Sequence, residues 1–105
     1  MINQTIQLLE AHHSDRSFLA DPVSDTILSQ IIEAARRGPT SINAQHISLI
    51  VLRDPAHRAR IADIAGGQSW IAQAPVFITV VVDFYKTRLA AELDCKEQII
   101  HASVE

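Results

Sequence analysis

The stretch 38-GPTSINAQHISLIVLRDP-55 decides how this chain is organised. Its second half, from His46 to Arg53, is apolar at nearly every position, which predicts a strand covered on both faces. Its first half follows a helix stop at Gly38-Pro39. That half carries four small or medium polar side chains, which are Thr40, Ser41, Asn43 and Gln45. A plain connection would be a short turn of Gly, Asp or Asn, so this loop is expected to hold something polar.

Upstream of that loop, the pattern predicts two helices. The first spans Asn3 to Ala11 with Asn3 as its cap, and "FLADPVSD" then forms an extended connection because Pro22 disfavours helix before it. Ser24 or Asp25 caps the second helix. Its apolar residues recur at helical spacing, which predicts packing on a core.

Downstream, Asp54-Pro55 opens a helix that runs to Gly66-Gly67, with Asp as cap and Pro at the first helical position. Trp70-Ile71 is expected in a short turn or helical piece, and Phe77 to Val82 in a second strand. A last helix is predicted from Tyr85 or Lys86; its apolar positions are Leu89, Leu93, Ile99 and Ile100. Two strands do not make a stable sheet alone. Three explanations stay open: a hidden third strand, a partner that supplies more sheet, or a chain that is cut short.

Composition narrows the class of protein. The chain has 105 residues, 48% of them hydrophobic and 20% charged, which suits one globular domain. A net charge of −3 argues against a nucleic-acid binder. The longest apolar run, Ala74 to Val82, is far shorter than the roughly 20 residues of a membrane helix. The N-terminus lacks the pattern of a signal peptide, so a cytoplasmic protein without membrane association is expected.

Metal and disulfide chemistry find little support in the sequence. Cys95 is the single cysteine, so neither an intrachain disulfide nor a thiolate cluster can form. His12 and His13 are adjacent and would point apart on regular structure. HExxH and CxxC patterns are absent from the sequence, and no metal site is predicted.

Two short segments are candidates for ligand contacts. "HHSDRSF" places Ser14 and Arg16 just after a helix, and a guanidinium with nearby hydroxyls can clamp an anion. The more usual reading of such an arginine is an exposed ion pair, here with Asp15 or Asp21. "AGGQSW" is most often a helix end with a tight turn. Alternatively, its glycine pair lets Gln68 approach a planar ligand.

Taken in order, four motifs resemble those of the flavin-dependent nitroreductase family, and in particular its oxygen-insensitive, NADPH-dependent nitroreductase and flavin reductase branch. The motifs are "HHSDRSF", "PTSINAQ", a "DP" helix start and "AGGQSWIAQAPVFITVVVD". They cover His12 to Lys86 in the family's order and spacing. The resemblance implies an α+β, nitroreductase-like fold with an antiparallel-rich sheet flanked by helices. It also implies that residues 1–105 are the N-terminal part of a single nitroreductase-like domain, so that the fold is incomplete in this chain.

The resemblance further implies a flavin mononucleotide (FMN) site. Its phosphate and ribityl chain would be held by His12, His13, Ser14 and Arg16. Gln68 would reach the flavin ring, and Gln45 would support the loop. Thr40, Ser41 and Asn43 would face flavin across a homodimer interface. Two departures from the family pattern, His13 in place of an arginine and Asp15 in place of an apolar residue, are expected to weaken phosphate binding.

The activity that the resemblance implies is reduction of nitroaromatics, quinones or free flavins with NADPH or NADH. No side chain need act as a covalent catalyst, because the cofactor carries the chemistry. The resemblance implies a considerably longer protein, so we expect an N-terminal fragment or a naturally truncated member with weak or absent activity. The alternative is a non-catalytic α/β fragment that dimerises and binds no flavin.

Overall fold

The computed structural model describes residues 3–94 and arranges them as five helices and two strands, with one turn of 3-10 helix at Ser41–Asn43. In chain order the elements are α1 (Gln4–Glu10), α2 (Asp25–Arg36), β1 (Ile47–Leu52), α3 (Pro55–Ile64), α4 (Ser69–Gln73), β2 (Phe77–Val82) and α5 (Phe84–Leu93). The predicted order of elements is confirmed. The predicted contributions of Ile99 and Ile100 to the last helix lie outside the described residues.

Side-chain caps begin four of these helices. Asn3 Oδ1 accepts from the Ile6 amide at 2.9 Å, and Ser24 Oγ accepts from the Ile27 amide at 3.3 Å. Asp54 Oδ1 accepts from the Ala56 amide at 2.7 Å, with Pro55 at the first helical position. Asp83 begins α5 by accepting from the Lys86 amide at 3.1 Å. Each cap satisfies an amide that the helix itself leaves without a partner, so short polar residues in the sequence set these boundaries.

The two strands form an antiparallel pair. Ile47 lies opposite Val82 and Leu52 lies opposite Phe77. Because opposite residues of an antiparallel pair point to the same face, one face of the sheet consists only of aliphatic side chains. That face, called here the aliphatic face, comprises Ile47, Leu49, Val51, Ile78, Val80 and Val82.

The prediction that β1 is covered on both faces is wrong for the described residues. Ile50 is 48% exposed, and on the aliphatic face Val80 and Val82 are 65% and 61% exposed. The prediction that α2 packs on a core is only partly met, since Leu28 is buried but Ile27 and Ile31 remain exposed. An apolar pattern indicates which face of a strand or helix can be buried. It does not show whether another element of the same chain packs on that face.

Buried apolar side chains are few, and they come mainly from α3 and α4, which contact each other. They are Leu28, Ala62, Ile71 and Ala74. The radius of gyration is 17.5 Å, whereas a compact domain of about 100 residues has a value of about 13 Å. The described residues therefore form an open arrangement with much unpartnered apolar surface.

Between residues 3 and 94, none of the helices combines the length and the apolar character that a bilayer crossing requires.

Candidate functional site

The polar loop of the decisive stretch folds tightly on itself. Its single 3-10 turn spans Ser41–Asn43, and Thr40 Oγ1 accepts from the Gln45 amide at 3.2 Å. Ile42, Asn43 and Gln45 all adopt left-handed backbone conformations, with φ of 50°, 55° and 52°. Asn tolerates this region, but it is unfavourable for a β-branched residue. The loop is thus held in an unusual shape in which Ser41, Asn43 and Gln45 are exposed while the Thr40 hydroxyl turns back onto the loop.

A cavity of about 620 Å³ opens beside this loop. It lies between the end of α2, the loop and the beginning of β1; its walls comprise Glu33, Ala35, Arg36, Arg37, Gly38, Pro39, Thr40, Asn43, Gln45, Ile47, Leu49 and Lys86. Of the three loop residues predicted to face flavin, Thr40 and Asn43 line the cavity and Ser41 does not. The volume falls in the range of about 300–1,000 Å³ that small-molecule sites occupy.

Cations outnumber carboxylates around this cavity. Glu33 pairs with Arg36 at 3.0 Å and with Arg37 at 3.2 Å. Lys86 Nζ donates to the Ile47 carbonyl at 2.6 Å and remains a third cation. The cavity therefore has a positive balance, although exposed charges of this kind act weakly through solvent.

The predicted phosphate-binding segment is extended and exposed. His13 Nδ1 lies 2.7 Å from the Ala11 carbonyl oxygen, and its Nε2 lies 3.1 Å from Asp15 Oδ2. Both ring nitrogens thus face acceptor oxygens, one of the backbone and one of a carboxylate. Asp15 consequently engages His13, the residue at which the resemblance implied a departure from an arginine.

Arg16 has a different neighbour. Its guanidinium carbon lies 5.9 Å from the centre of the Trp70 ring. Within residues 3–94, no carboxylate lies at ion-pair distance from Arg16. The alternative in which Arg16 pairs with Asp15 or Asp21 is therefore not what this structure shows, and the guanidinium keeps its hydrogen-bond donors for another acceptor.

Gln68 follows a glycine turn that ends α3. Gly66 and Gly67 have φ of 88° and 78°, which only glycine adopts without strain, and the Gly67 amide donates to the Ala62 carbonyl at 2.8 Å. Gln68 Nε2 donates to the Ala65 carbonyl at 2.9 Å. The carboxamide thus lies against the helix end, and its oxygen remains available as an acceptor.

The predicted residues fall into two groups. Arg16 reaches α4 through Trp70, two residues after Gln68, so the 12–16 segment and the glycine turn meet at α4. The loop group, with Thr40 and Asn43, lines the cavity, and His12, His13, Ser14, Arg16 and Gln68 are not among the residues of its walls. Within the described residues of a single chain, the loop group therefore does not share a cavity with the 12–16 segment and Gln68.

Two further residues, Trp70 at α4 and Lys86 at the cavity, were not predicted as site residues from the sequence. Trp70 lies inside the "AGGQSW" motif, and Lys86 comes three residues after Asp83, which follows β2. The available signal for Trp70 was that the only tryptophan of the sequence lies inside a motif already singled out for ligand contact. Lys86 gave no local signal, because its contact with Ile47 joins residues 39 positions apart. In the part of the chain described, no three His, Cys, Asp or Glu side chains cluster as metal ligands would.

Comparison with known proteins agrees with the motifs. The FMN reductase [NAD(P)H] of Bacillus subtilis is 42% identical over 91 residues, a match that covers 87% of this chain and 36% of the relative. The oxygen-insensitive NADPH nitroreductase of Salmonella typhimurium is 35% identical over 107 residues, covering 99% of this chain and 45% of the relative. This chain therefore spans less than half the length of these relatives.

Solved structures give the same result for the fold. NfrA2 of B. megaterium superposes with a TM-score of 0.88 at 33% identity, over 94% of this chain and 40% of that one. The NADPH:FMN oxidoreductase of Vibrio harveyi, solved with NAD+, gives a TM-score of 0.79 at 29% identity, over 91% of this chain and 40% of that one. The expected nitroreductase-like α+β fold is confirmed, and the two-stranded sheet is an incomplete version of it. Since the model of the nitroreductase family also matches residues 9–101, nearly the whole chain, this protein belongs to the nitroreductase family.

Proposed function

We propose that this chain forms the FMN-holding, N-terminal part of an NAD(P)H-dependent oxidoreductase that reduces nitroaromatics, quinones or free flavins. The observation that carries the proposal is Arg16, a guanidinium without a carboxylate partner in residues 3–94, held over Trp70 beside the Gly66–Gln68 turn. A phosphate monoester is the kind of anion that such a donor set binds.

The residues of this segment fit FMN by the chemistry of their donors. Ser14 offers a hydroxyl, Arg16 a charged fork and His12 a ring N–H group for the phosphate and the ribityl chain. His13 adds a ring N–H group by exchanging its contact with Asp15 for the ligand. The Gly66-Gly67 pair leaves the turn without side chains, so Gln68 can present its carboxamide to a flat ring. The Asp15 carboxylate, 3.1 Å from His13, offsets part of the positive charge, and we expect modest affinity.

In the proposed enzyme, bound FMN supplies the two-electron chemistry, with NADPH or NADH as reductant. This chain's residues bind the cofactor, orient it and keep water from one side of it. The proposal assigns no residue as a covalent catalyst.

The proposal includes a cytoplasmic homodimer without nucleic-acid partners. Thr40, Ser41 and Asn43 of one subunit face the flavin that the partner holds through its 12–16 segment. Support comes from the separation of the two residue groups within one chain and from the cavity walls, which include Thr40 and Asn43. A site assembled from two chains is a natural arrangement for residues that one chain keeps apart.

The test is flavin binding by the 105-residue chain and its Arg16→Ala variant. Removing one charged hydrogen-bonding partner should weaken FMN binding by about 1.5–3 kcal/mol, which is about tenfold or more in Kd. Arg60→Ala, which removes an exposed arginine of α3, is the matched control and should leave Kd unchanged. Kd is measured by the quenching of flavin fluorescence as protein is added. Equal Kd values for the wild type and Arg16→Ala contradict the phosphate role.

Turnover tests the wider proposal. NADPH or NADH oxidation is measured with a quinone or a nitrofuran and added FMN, beside the full-length B. subtilis FMN reductase. We expect slow or no turnover from the 105-residue chain, because a site that lacks part of its contacts retains the costs of binding without the full gain. If the wild-type chain neither binds FMN nor takes on its yellow colour, the alternative of a non-catalytic dimerising fragment replaces the proposal.

A further inference from the structure

Arg16 lies in an extended segment that gives it no regular secondary structure to hold its side chain. The segment from position 12 to position 24 precedes α2 without helix or strand, and Arg16 is exposed. A long, flexible arginine in such a place samples many conformations, and ordering it on ligand binding opposes affinity. The contact with the Trp70 ring at 5.9 Å is what limits this freedom here.

Trp70 is itself well anchored. It is the second residue of α4, and its carbonyl accepts from the Ala74 amide at 3.0 Å. The next residue, Ile71, is buried against the interior. The buried Arg58 of α3 donates to the carbonyls of Ala72 and Ala74, which ties α4 to α3. The backbone that carries the partly buried Trp70 is therefore held in place on two elements, whereas Arg16 lies in an exposed extended segment.

We infer that Trp70 is a positioning residue: its ring holds the Arg16 guanidinium in place for the phosphate of the cofactor. A guanidinium carries its N–H donors in its own plane, so a cation–π contact with Trp70 and bidentate binding of a phosphate are compatible. The inference rests on the proposed function and adds a specificity element to it. Trp70 favours phosphorylated flavin over riboflavin, because riboflavin lacks the group that Arg16 binds.

The expected effect follows from the strength of an exposed cation–π contact. Loss of such a contact corresponds to a change of about two- to fivefold in Kd. Trp70→Leu should raise the Kd for FMN by that factor and leave the Kd for riboflavin unchanged. Trp70→Phe keeps an aromatic face and should restore most of the FMN affinity. In the Arg16→Met background, Trp70→Leu should have no further effect on FMN.

A matched control exists in the same chain. In α5, the guanidinium carbon of Arg88 lies 5.3 Å from the centre of the Tyr85 ring, which gives a second arginine–aromatic pair away from Arg16. Tyr85→Leu removes that contact and should leave the FMN Kd unchanged. Melting temperatures of all variants show whether each one folds. An equal rise in Kd for FMN and riboflavin, or an additive effect in the double variant, overturns the inference.

A second readout separates this inference from the proposed function. Trp70 is the sole tryptophan, so its emission reports directly on Arg16. Inorganic phosphate titrated into the wild-type chain should change this emission, and Arg16→Met should abolish the change. A phosphate response in a chain that binds no flavin supports the pairing and overturns the proposed function. If inorganic phosphate does not change the Trp70 emission, the inference is overturned, whether or not the chain binds FMN.

Discussion

Ile42 is the residue whose backbone suits its side chain least. It has φ 50° and ψ 21°, and its side chain is 84% exposed. For an L-residue the left-handed conformation costs roughly 1–2 kcal/mol. Because the side chain is exposed, it gains no burial energy that would offset this cost. Strain of this kind persists where the surrounding structure requires the shape. The loop that carries Thr40 and Asn43 therefore keeps its form at the expense of stability.

Ile42→Asn should stabilise the chain by about 1 kcal/mol, because asparagine tolerates the left-handed region. The measurement is the melting temperature by circular dichroism, which should rise. Ile64→Asn is the control, since Ile64 is 72% exposed but helical. That variant should not raise the melting temperature, and an equal rise in both would mean that removing exposed apolar surface is the cause.

Asp83 is the one described residue whose pKa clearly departs from its ordinary value. The pKa is lowered, first because Ser48 Oγ donates to its carboxylate at 2.5 Å and then because the Lys86 amide donates as well. A carboxyl with a depressed pKa in the folded state stabilises the fold above the ordinary aspartate pKa of about 4. That contribution disappears as pH falls through the folded-state value.

Ser48→Ala should raise the pKa of Asp83 toward its ordinary value and flatten the loss of stability below about pH 4. Carboxyl chemical shifts measured during an acid titration give the pKa, and melting temperatures over the same range give the stability. Ser29→Ala, on the exposed surface of α2, should leave both unchanged. An unaltered Asp83 titration in Ser48→Ala would rule out the serine as the main cause.

At the scale of elements, the junction of α3 and α4 depends on one buried charge. Arg58 is 9% exposed, and its guanidinium donates to the Ala72 carbonyl at 3.0 Å and also to that of Ala74. Its Nε is buried and has no partner among the described residues. Burial of an arginine is unfavourable unless its donors are used. Here the guanidinium holds the end of α4 against α3, which offsets part of the cost of its burial.

Arg58→Met should destabilise the chain by about 2 kcal/mol, because two carbonyls lose a charged donor while the apolar stem is largely preserved. Thermal unfolding measures the loss. Arg60→Met, two residues further along α3, changes an exposed arginine and should have little effect. Similar losses in both variants would show that the helix, and not the contact with α4, is responsible.

Local chemistry explains why so many element boundaries were predictable. Ser24, Asp54 and Pro55 act within a single turn of chain, so their effect is visible in sequence. The predicted start of α5, Tyr85 or Lys86, lies one or two residues too late because Asp83 was not recognised as its cap. Contacts such as those of Arg16 with Trp70 and of Arg58 with Ala74 depend on how separate elements meet, which spacing alone does not reveal.

At the scale of the whole molecule, the dominant property of residues 3–94 is apolar surface that no other described residue covers. The aliphatic face of the sheet exposes Val80 and Val82, and α5 exposes Leu89 and Leu93. A two-stranded sheet also leaves both outer edges unpaired, and such edges invite pairing with another chain. The shortage of strands was apparent from the sequence, whereas the uncovered aliphatic face was not, because the apolar pattern of β1 and β2 is the same whether or not a neighbour covers the strands.

We therefore expect the 105-residue chain to associate with itself through this surface, with α5 and one edge of the sheet buried between copies. Burial of one valine side chain contributes about 1.5–3 kcal/mol, so Val80→Lys should weaken association by about tenfold or more. Sedimentation velocity over a range of concentrations gives the association constant. Ala59→Lys adds the same charge to the exposed surface of α3 and should leave that constant unchanged. A monomeric wild type would remove the case for self-association, and equal constants for wild type and Val80→Lys would place the contact on a different surface from the aliphatic face.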